Sequence, residues 1–254
     1  MTILDEILAH KATEVSALPD RPATGSAPRR SLRASLLAHG PVALIAEIKR
    51  KSPSRPLIRT DFDPPAMARA YERGGAAALS VLTDEAFFGG HLDDLVAARA
   101  GVELPVLRKD FLIDPRQVAQ AARAGADAVL LIAAALDDRA LAEMMQACDA
   151  HGVEFLLEVH TEPELMRALA CGAPLVGINN RDLHAFTVDL ARSGELAAIA
   201  RSHSPQPPLL VSESGIATPA DRDRLAGWGI QAMLVGESLL RQDDLEQAAR
   251  GLLA

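Results

Sequence analysis

The basic side chains of this 254-residue chain are 22 arginines and only four lysines. Where arginine serves as the ordinary positive charge, a retained lysine marks a need for a compact donor or a proton that can leave. Lys11 falls in an N-terminal helical pattern and is expected to be a solvated surface charge. Lys49, Lys51 and Lys109 fall in two short segments, EIKRKS and VLRKD, each closing an apolar run. Other apolar runs end on polar groups in the same way. Glu158 closes EFLLEV, Asn179, Asn180 and Arg181 follow LVGI, Glu213, Ser214 and Gly215 follow LLVS, and Gly236 and Glu237 follow AMLV. Unpaired buried charges cost several kcal/mol each, so glutamates, lysines and an arginine gathered at one place imply function rather than stability.

Glu47 and Lys49 are two residues apart and leave the same face of an extended strand. A lysine flanked by carboxylates holds its proton as a general acid, while a carboxylate beside lysines stays ionised as a base. The set suits acid–base chemistry on an anionic substrate. It needs one ionised carboxylate together with one protonated lysine, whose pKa neighbouring cations and partial burial are expected to lower. The turns at Ser214-Gly215 and Gly236-Glu237, with Ser52 on the facing rim, read as a phosphate site where glycine lets backbone N–H groups approach an anion.

Other chemistries find little support. Cys148 and Cys171 form no CxxC and read as small buried thiols. Seven histidines show no HxH or HExxH spacing, so no metal site is expected, and His160 reads as a loop histidine without a chemical role. The composition, 49% hydrophobic and 24% charged, is that of a globular protein. A net charge of −8 argues against nucleic acid and anionic lipid, and 3% aromatics leave few stacking platforms. No run approaches the ~18 apolar residues of a membrane span. Asp5 and Glu6 interrupt any signal-peptide pattern, so a cytoplasmic protein is expected.

These candidates sit at the ends of eight apolar runs, 42–48, 77–83, 105–110, 128–133, 154–159, 175–180, 209–214 and 232–237, spaced about 27 residues apart with a helical pattern after each. Near-continuous apolar runs indicate parallel strands buried on both faces. Eight βα units predict an α/β fold, a single (β/α)8 TIM barrel, whose site lies at the C-terminal ends of the strands. A doubly wound sheet is the alternative, but no GxGxxG follows the first strand. Pro115, Pro163 and Pro219 mark first helical turns behind Asp114, Glu162 and Thr218, with Asp114 and Thr218 as caps. Gly101, Gly125, Gly152, Gly172 and Gly229 mark helix ends. Residues 1–41 form a helical extension, with Thr2 and Asp5 as a capping box and a second helix in 31–40, covering one end of the barrel formed by 42–254. The whole chain, 1–254, is expected to be one domain.

The segments IAEIKRKSPS (45–54), FFGGHLDDL (87–95), PVLRKDF (105–111), LLEVHTEPEL (156–165), GINNRDLHAFTVDL (177–190), VSESGI (211–216) and LVGESLL (234–240) resemble the indole-3-glycerol phosphate synthase family, in order. The resemblance implies a barrel lyase of tryptophan biosynthesis. Such an enzyme closes the indole ring of 1-(2-carboxyphenylamino)-1-deoxyribulose 5-phosphate with loss of carbon dioxide and water, without redox or metal cofactor. Carried over by motif, Lys109 becomes the general acid, Glu158 the second acid–base carboxylate, and Glu47 and Lys49 the pair after strand 1, with Asn179 beside them. Ser52, Arg181, Glu213, Ser214 and Gly215 become substrate and phosphate contacts, and Phe111 lies near the aromatic ring, which Leu82 and Leu130 would wall. The implied partner is a small phosphorylated molecule, and the protein is expected to be a monomer or weak homo-oligomer. Two positions depart from the family pattern. Pro56 replaces a glycine and predicts a stiffer first loop, and His91 replaces a smaller residue. A related isomerase of phosphoribosylanthranilate would need a Cys/Asp pair, and neither cysteine stands at a strand end. A non-catalytic binding barrel would not need Glu47, Lys49, Lys109 and Glu158 together.

Overall fold

The computed structural model describes residues 2–19, 28–52, 59, 61–182, 187–204 and 206–254. Two helices, α1 (Ile3–Ser16) and α2 (Leu32–Ala38), come first. Eight strands follow: β1 (Ala43–Ile48), β2 (Ala78–Leu82), β3 (Val106–Lys109), β4 (Ala128–Ile132), β5 (Glu154–Val159), β6 (Leu175–Asn179), β7 (Leu209–Glu213) and β8 (Ala232–Val235). All are parallel, they neighbour one another in chain order, and β8 pairs with β1 to close the barrel. The helices α3 (Pro64–Arg73), α4 (Leu92–Ala100), α5 (Pro115–Ala124), α6 (Asp138–His151), α7 (Glu162–Ala170), α8 (Ala191–His203) and α9 (Pro219–Gly227) follow β1 to β7 in turn. After β8 come α10 (Glu237–Leu240) and α11 (Leu245–Leu253). The architecture is a (β/α)8 TIM barrel with an N-terminal helical extension.

Alternate residues of each strand divide the core. Leu44, Ala46 and Ile48 pack with Leu79, Val129 and Leu157 under the helices, while Ile45, Leu107, Leu130, Leu156, Val211 and Leu234 fill the barrel. Burial on both faces is why the strands carry so few polar residues. Apart from β1 and β5, each strand ends one or two residues earlier than its apolar run implies. The residues beyond the ladder bond across loops instead. Asn180, for example, donates its amide to Ser212 Oγ at 3.0 Å and to the carbonyls of Glu213 and Ser214.

Asp114 and Thr218 cap α5 and α9 through capping boxes. Helix α7 differs: Thr161, not Glu162, is its cap, because only the threonine hydroxyl accepts the N–H of Glu164. Gly101 also departs from the left-handed expectation, with a φ of −90°.

The extension covers both ends of the barrel rather than one. Helix α2 closes the N-terminal end: Leu32 and Leu36 pack with Ala43, Ala78, Leu107 and Ala128. Its cap Ser31 and the N–H of Arg33 bond the two carboxylate oxygens of Glu154, the first residue of β5. Helix α1 lies over the opposite end, where Ile3, Leu4 and Ile7 line the central cavity.

Candidate active site

In a (β/α)8 barrel the inward side chains stack in layers drawn from alternate strands. The uppermost odd-strand positions here carry Glu47 (β1), Lys109 (β3), Glu158 (β5) and Glu213 (β7). Lys109 Nζ donates to Glu158 Oε2 at 3.2 Å and to Glu213 Oε2 at 3.0 Å. Lys49, one residue past β1, is ion-paired with Glu47. Two glycines make room for the carboxylates. A Cβ at Gly177 would strike Glu213, and one at Gly236 would strike Glu47. Gly236 therefore serves the charged layer as well as the turn after β8.

Glu158 and Glu213 both face Lys109 but do not titrate alike. Burial opposes ionisation of Glu158, but Lys109, His160 and a hydrogen bond from Asn179 outweigh it and hold its pKa below the ordinary carboxylate value. Asn179 is oriented for this because its Oδ1 accepts the N–H of Arg181 and the hydroxyl of Ser214. Glu213 is closer to Lys109 than Glu158 is, yet its pKa is pushed up to about 7. Burial comes first, and the charges of Glu158 and Glu47 add to it against the pull of Lys109. Its Oε1 has no hydrogen-bond partner among the described residues. Of the two carboxylates on Lys109, Glu158 is therefore the more firmly ionised and Glu213 the more readily protonated. Burial works against the charge of Lys109, but Glu213, Glu158 and Glu47 outweigh it and raise its pKa. That reverses the expected lowering, because the lysine's closest neighbours are anions.

The charged layer floors a cavity of about 230 Å³. Thirteen of the sequence-derived candidates line it: Glu47, Lys49, Ser52, Lys109, Phe111, Glu158, Asn179, Arg181, Glu213, Ser214, Gly215, Gly236 and Glu237. Lys51, which donates to the carbonyl of Ala86, and Asn180 do not. One side is apolar, with Leu82, Leu130, Ile132, Phe88 and Phe111, the two phenyl rings 5.9 Å apart. The other is formed by the turns after β7 and β8. Ser214 and Gly215 take φ values of 69° and 81°, and Ser238 Oγ donates to the carbonyl of Ile216, tying the two turns together. The side chain of Glu237 pairs with Arg241.

Several expectations change. Lys11 is 1% exposed rather than solvated and contacts three carboxylates. His160 is no free loop residue: its ring lies 3.4 Å from Glu158 and 3.4 Å from Glu164, and these acids with Glu213 raise its pKa against burial. Cys148 is buried, and burial pushes its thiol up to about 12. Cys171 is only half-buried, at the end of α7. His91 caps α4 through a capping box with Asp94, a role for the unusual side chain. Pro56 lies outside the described residues. Sequence reasoning missed Phe88 and the α1 side chains. It also missed the space at Gly177, although a glycine inside an apolar strand is itself a sign of close approach.

The fold and the cluster define a (β/α)8-barrel enzyme equipped for acid–base chemistry. Residues 4–252 match the indole-3-glycerol phosphate synthase family model. An indole-3-glycerol phosphate synthase of Rhizorhabdus wittichii is 51% identical over 253 residues, covering 98% of this chain and 94% of that one. One from Rhodopirellula baltica is 48% identical over 262 residues and covers both chains fully, 100% of each. Among solved structures, a thiamine phosphate pyrophosphorylase from Pyrococcus furiosus superposes with a TM-score of 0.60 at 15% identity, covering 85% of this chain and 96% of that one. That last likeness concerns the fold alone. The chain belongs to the indole-3-glycerol phosphate synthase family, carboxy-lyases of tryptophan biosynthesis.

Proposed function

We propose that Lys109 and Glu158 are the acid and the base of the ring-closing reaction on 1-(2-carboxyphenylamino)-1-deoxyribulose 5-phosphate. The observation that carries this is Lys109 Nζ held at 3.2 Å from Glu158 and 3.0 Å from Glu213, inside the cavity. Its raised pKa keeps Lys109 charged at neutral pH, and the lowered pKa of Glu158 keeps that group ionised. Lys109 gives its proton to the substrate's ketone oxygen as the aryl carbon attacks, so the new ring carries a hydroxyl. Loss of carbon dioxide returns the bonding electrons to the benzene ring. Glu158 then removes the ring proton as the hydroxyl leaves as water. Lys49, held by Glu47, supplies the proton for that departure, because Lys109 has already spent its own.

The apolar wall receives the aromatic ring and excludes water. Arg181, Ser52 and the turns at Ser214-Gly215 and Gly236-Glu237 hold the phosphate, aided by the first N–H groups of α10, which have no partner within that helix. Asn179 positions Glu158. The chain works as one barrel unit, residues 42–254, with 1–41 as its extension. It is a cytoplasmic monomer or weak homo-oligomer that acts on a small phosphorylated molecule and does not bind nucleic acid.

Indole fluorescence on mixing with the substrate tests the reading. Lys109→Ala should lower kcat by ~10²–10⁴, the usual range for a general acid, with KM little changed. Lys109→Arg should stay badly impaired, since it keeps charge but loses the point donor. Near-wild-type kcat in Lys109→Ala would move the acid role elsewhere.

A further inference from the structure

The buried face of α1 is the row Ile7, Lys11 and Val15, an apolar stripe with a lysine at its centre. An ammonium so placed is unfavourable unless carboxylates compensate it. The Lys11 ammonium lies 2.9 Å from each of Glu14 Oε2, Asp84 Oδ2 and Asp110 Oδ1, hydrogen-bonded to the first and ion-paired with the two buried aspartates. Asp84 and Asp110 are themselves almost completely buried. Each also organises a loop at the mouth of the barrel. Asp84 Oδ1 accepts the N–H groups of Phe87 and Phe88 at 2.8 and 3.0 Å. Asp110 Oδ1 accepts the N–H of Phe111 at 2.8 Å, while its Oδ2 takes Thr83 and Arg108.

One ammonium thus joins three pieces of chain that are distant in sequence: α1, the loop after β2 and the loop after β3. These same pieces supply the apolar wall of the cavity, through Ile3, Leu4 and Ile7, Phe88 and Phe111. We infer that Lys11 is a positioning residue for substrate: it clamps α1 over the cavity and sets the two phenylalanines that receive the aromatic ring. The assignment of that ring to the apolar wall rests on the function proposed above. The clamp acts at the aromatic end only, because neither carboxylate bonds the turns after β7 and β8.

Without Lys11, Asp110 keeps Arg108 and Thr83, and Asp84 keeps two backbone donors. The barrel therefore stays folded while α1 loses its tie. Lys11→Met keeps the length of the stem and removes the charge. It should raise KM for the aryl-amino ribulose phosphate by about tenfold or more, leave kcat within about threefold, and leave inorganic phosphate affinity within about twofold. A lysine that merely stabilised the fold would lower the active fraction, and so kcat, at unchanged KM. Glu14→Gln, which removes only the half-exposed partner, should change KM by less than about twofold. Unchanged KM in folded Lys11→Met, or an equal loss of phosphate affinity, overturns the clamp.

Hydrogen exchange on the unaltered protein gives a second test that needs no variant and no turnover. The amides of Phe87, Phe88 and Phe111 should open together with those of α1 as one cooperative unit. Independent opening of α1 overturns the clamp, whereas absence of indole formation by the wild type would count against the proposed reaction and leave the exchange result standing.

Discussion

The two ends of this barrel are closed by helices of the same extension, yet they are built to opposite rules. At the N-terminal end, Leu32 and Leu36 of α2 press onto small and apolar side chains, and the polar groups at the rim are paired, Glu154 with Ser31 and the N–H of Arg33. At the C-terminal end, α1 covers a cavity whose floor holds three carboxylates and a lysine in one layer, with Glu213 Oε1 left without a partner among the described residues. Gly177 and Gly236 have given up their side chains to fit those carboxylates. Packing is optimised at one end and charge is crowded at the other. In barrels of this kind the N-terminal face serves stability and the C-terminal face serves chemistry. Here the division can be read residue by residue.

Substitutions at the two ends should therefore fail in different ways. The largest effect is expected at Glu158. Glu158→Gln removes the base while keeping its shape, and kcat should fall by ~10²–10⁴ in a steady-state assay with Tm little altered. Gly236→Ala places a methyl group against the Glu47 carboxylate and so disturbs Lys49. Roughly tenfold lower kcat together with higher KM is expected there, whereas Gly215→Ala, strained at a φ of 81°, should act mainly on KM. A pure KM effect at Gly236 would return that glycine to the phosphate turn alone. Leu36→Ala is the counterpart at the other end. It should lose ~2–5 kcal/mol of unfolding free energy in a denaturant titration. Its kcat, measured where the variant is fully folded, should stay at the wild-type value.

Much of this was legible in the sequence, for a physical reason. Strands buried on both faces must be almost purely apolar, so the eight runs stand out, and polar residues at their ends stand out against them. Lys49, Lys109, Glu158 and Glu213 all announce themselves in that way. Lys11 does not, because its partners Asp84 and Asp110 lie far along the chain and a helical lysine carries no local mark of burial. The direction of the Lys109 shift was hidden for the same reason: it depends on Glu158 and Glu213 lying at 3.2 and 3.0 Å, which only barrel closure brings about. Nor does any pattern in residues 1–41 reveal that α1 and α2 go to opposite ends. His160 is local to Glu158 in sequence, but its approach to Glu164 requires the start of α7 to fold back over the strand end.

Glu213→Gln, followed from pH 4 to pH 9 by thermal unfolding and by kcat/KM, probes the difference between the ends most directly. The folded carboxyl titrates near 7 against an ordinary value of 4.5. Between those values the folded state holds a proton that the unfolded chain has lost, so the wild type loses stability as pH rises from about 4.5 through about 7. Glutamine has no such loss. The variant should match the wild type in Tm near pH 4 and exceed it at pH 8, while its kcat/KM is lower because one of the two carboxylate partners of Lys109 has become a neutral amide. A variant Tm that falls below the wild type at pH 8, or a difference that does not change with pH, would contradict the view that this end of the barrel keeps its charge at the expense of stability.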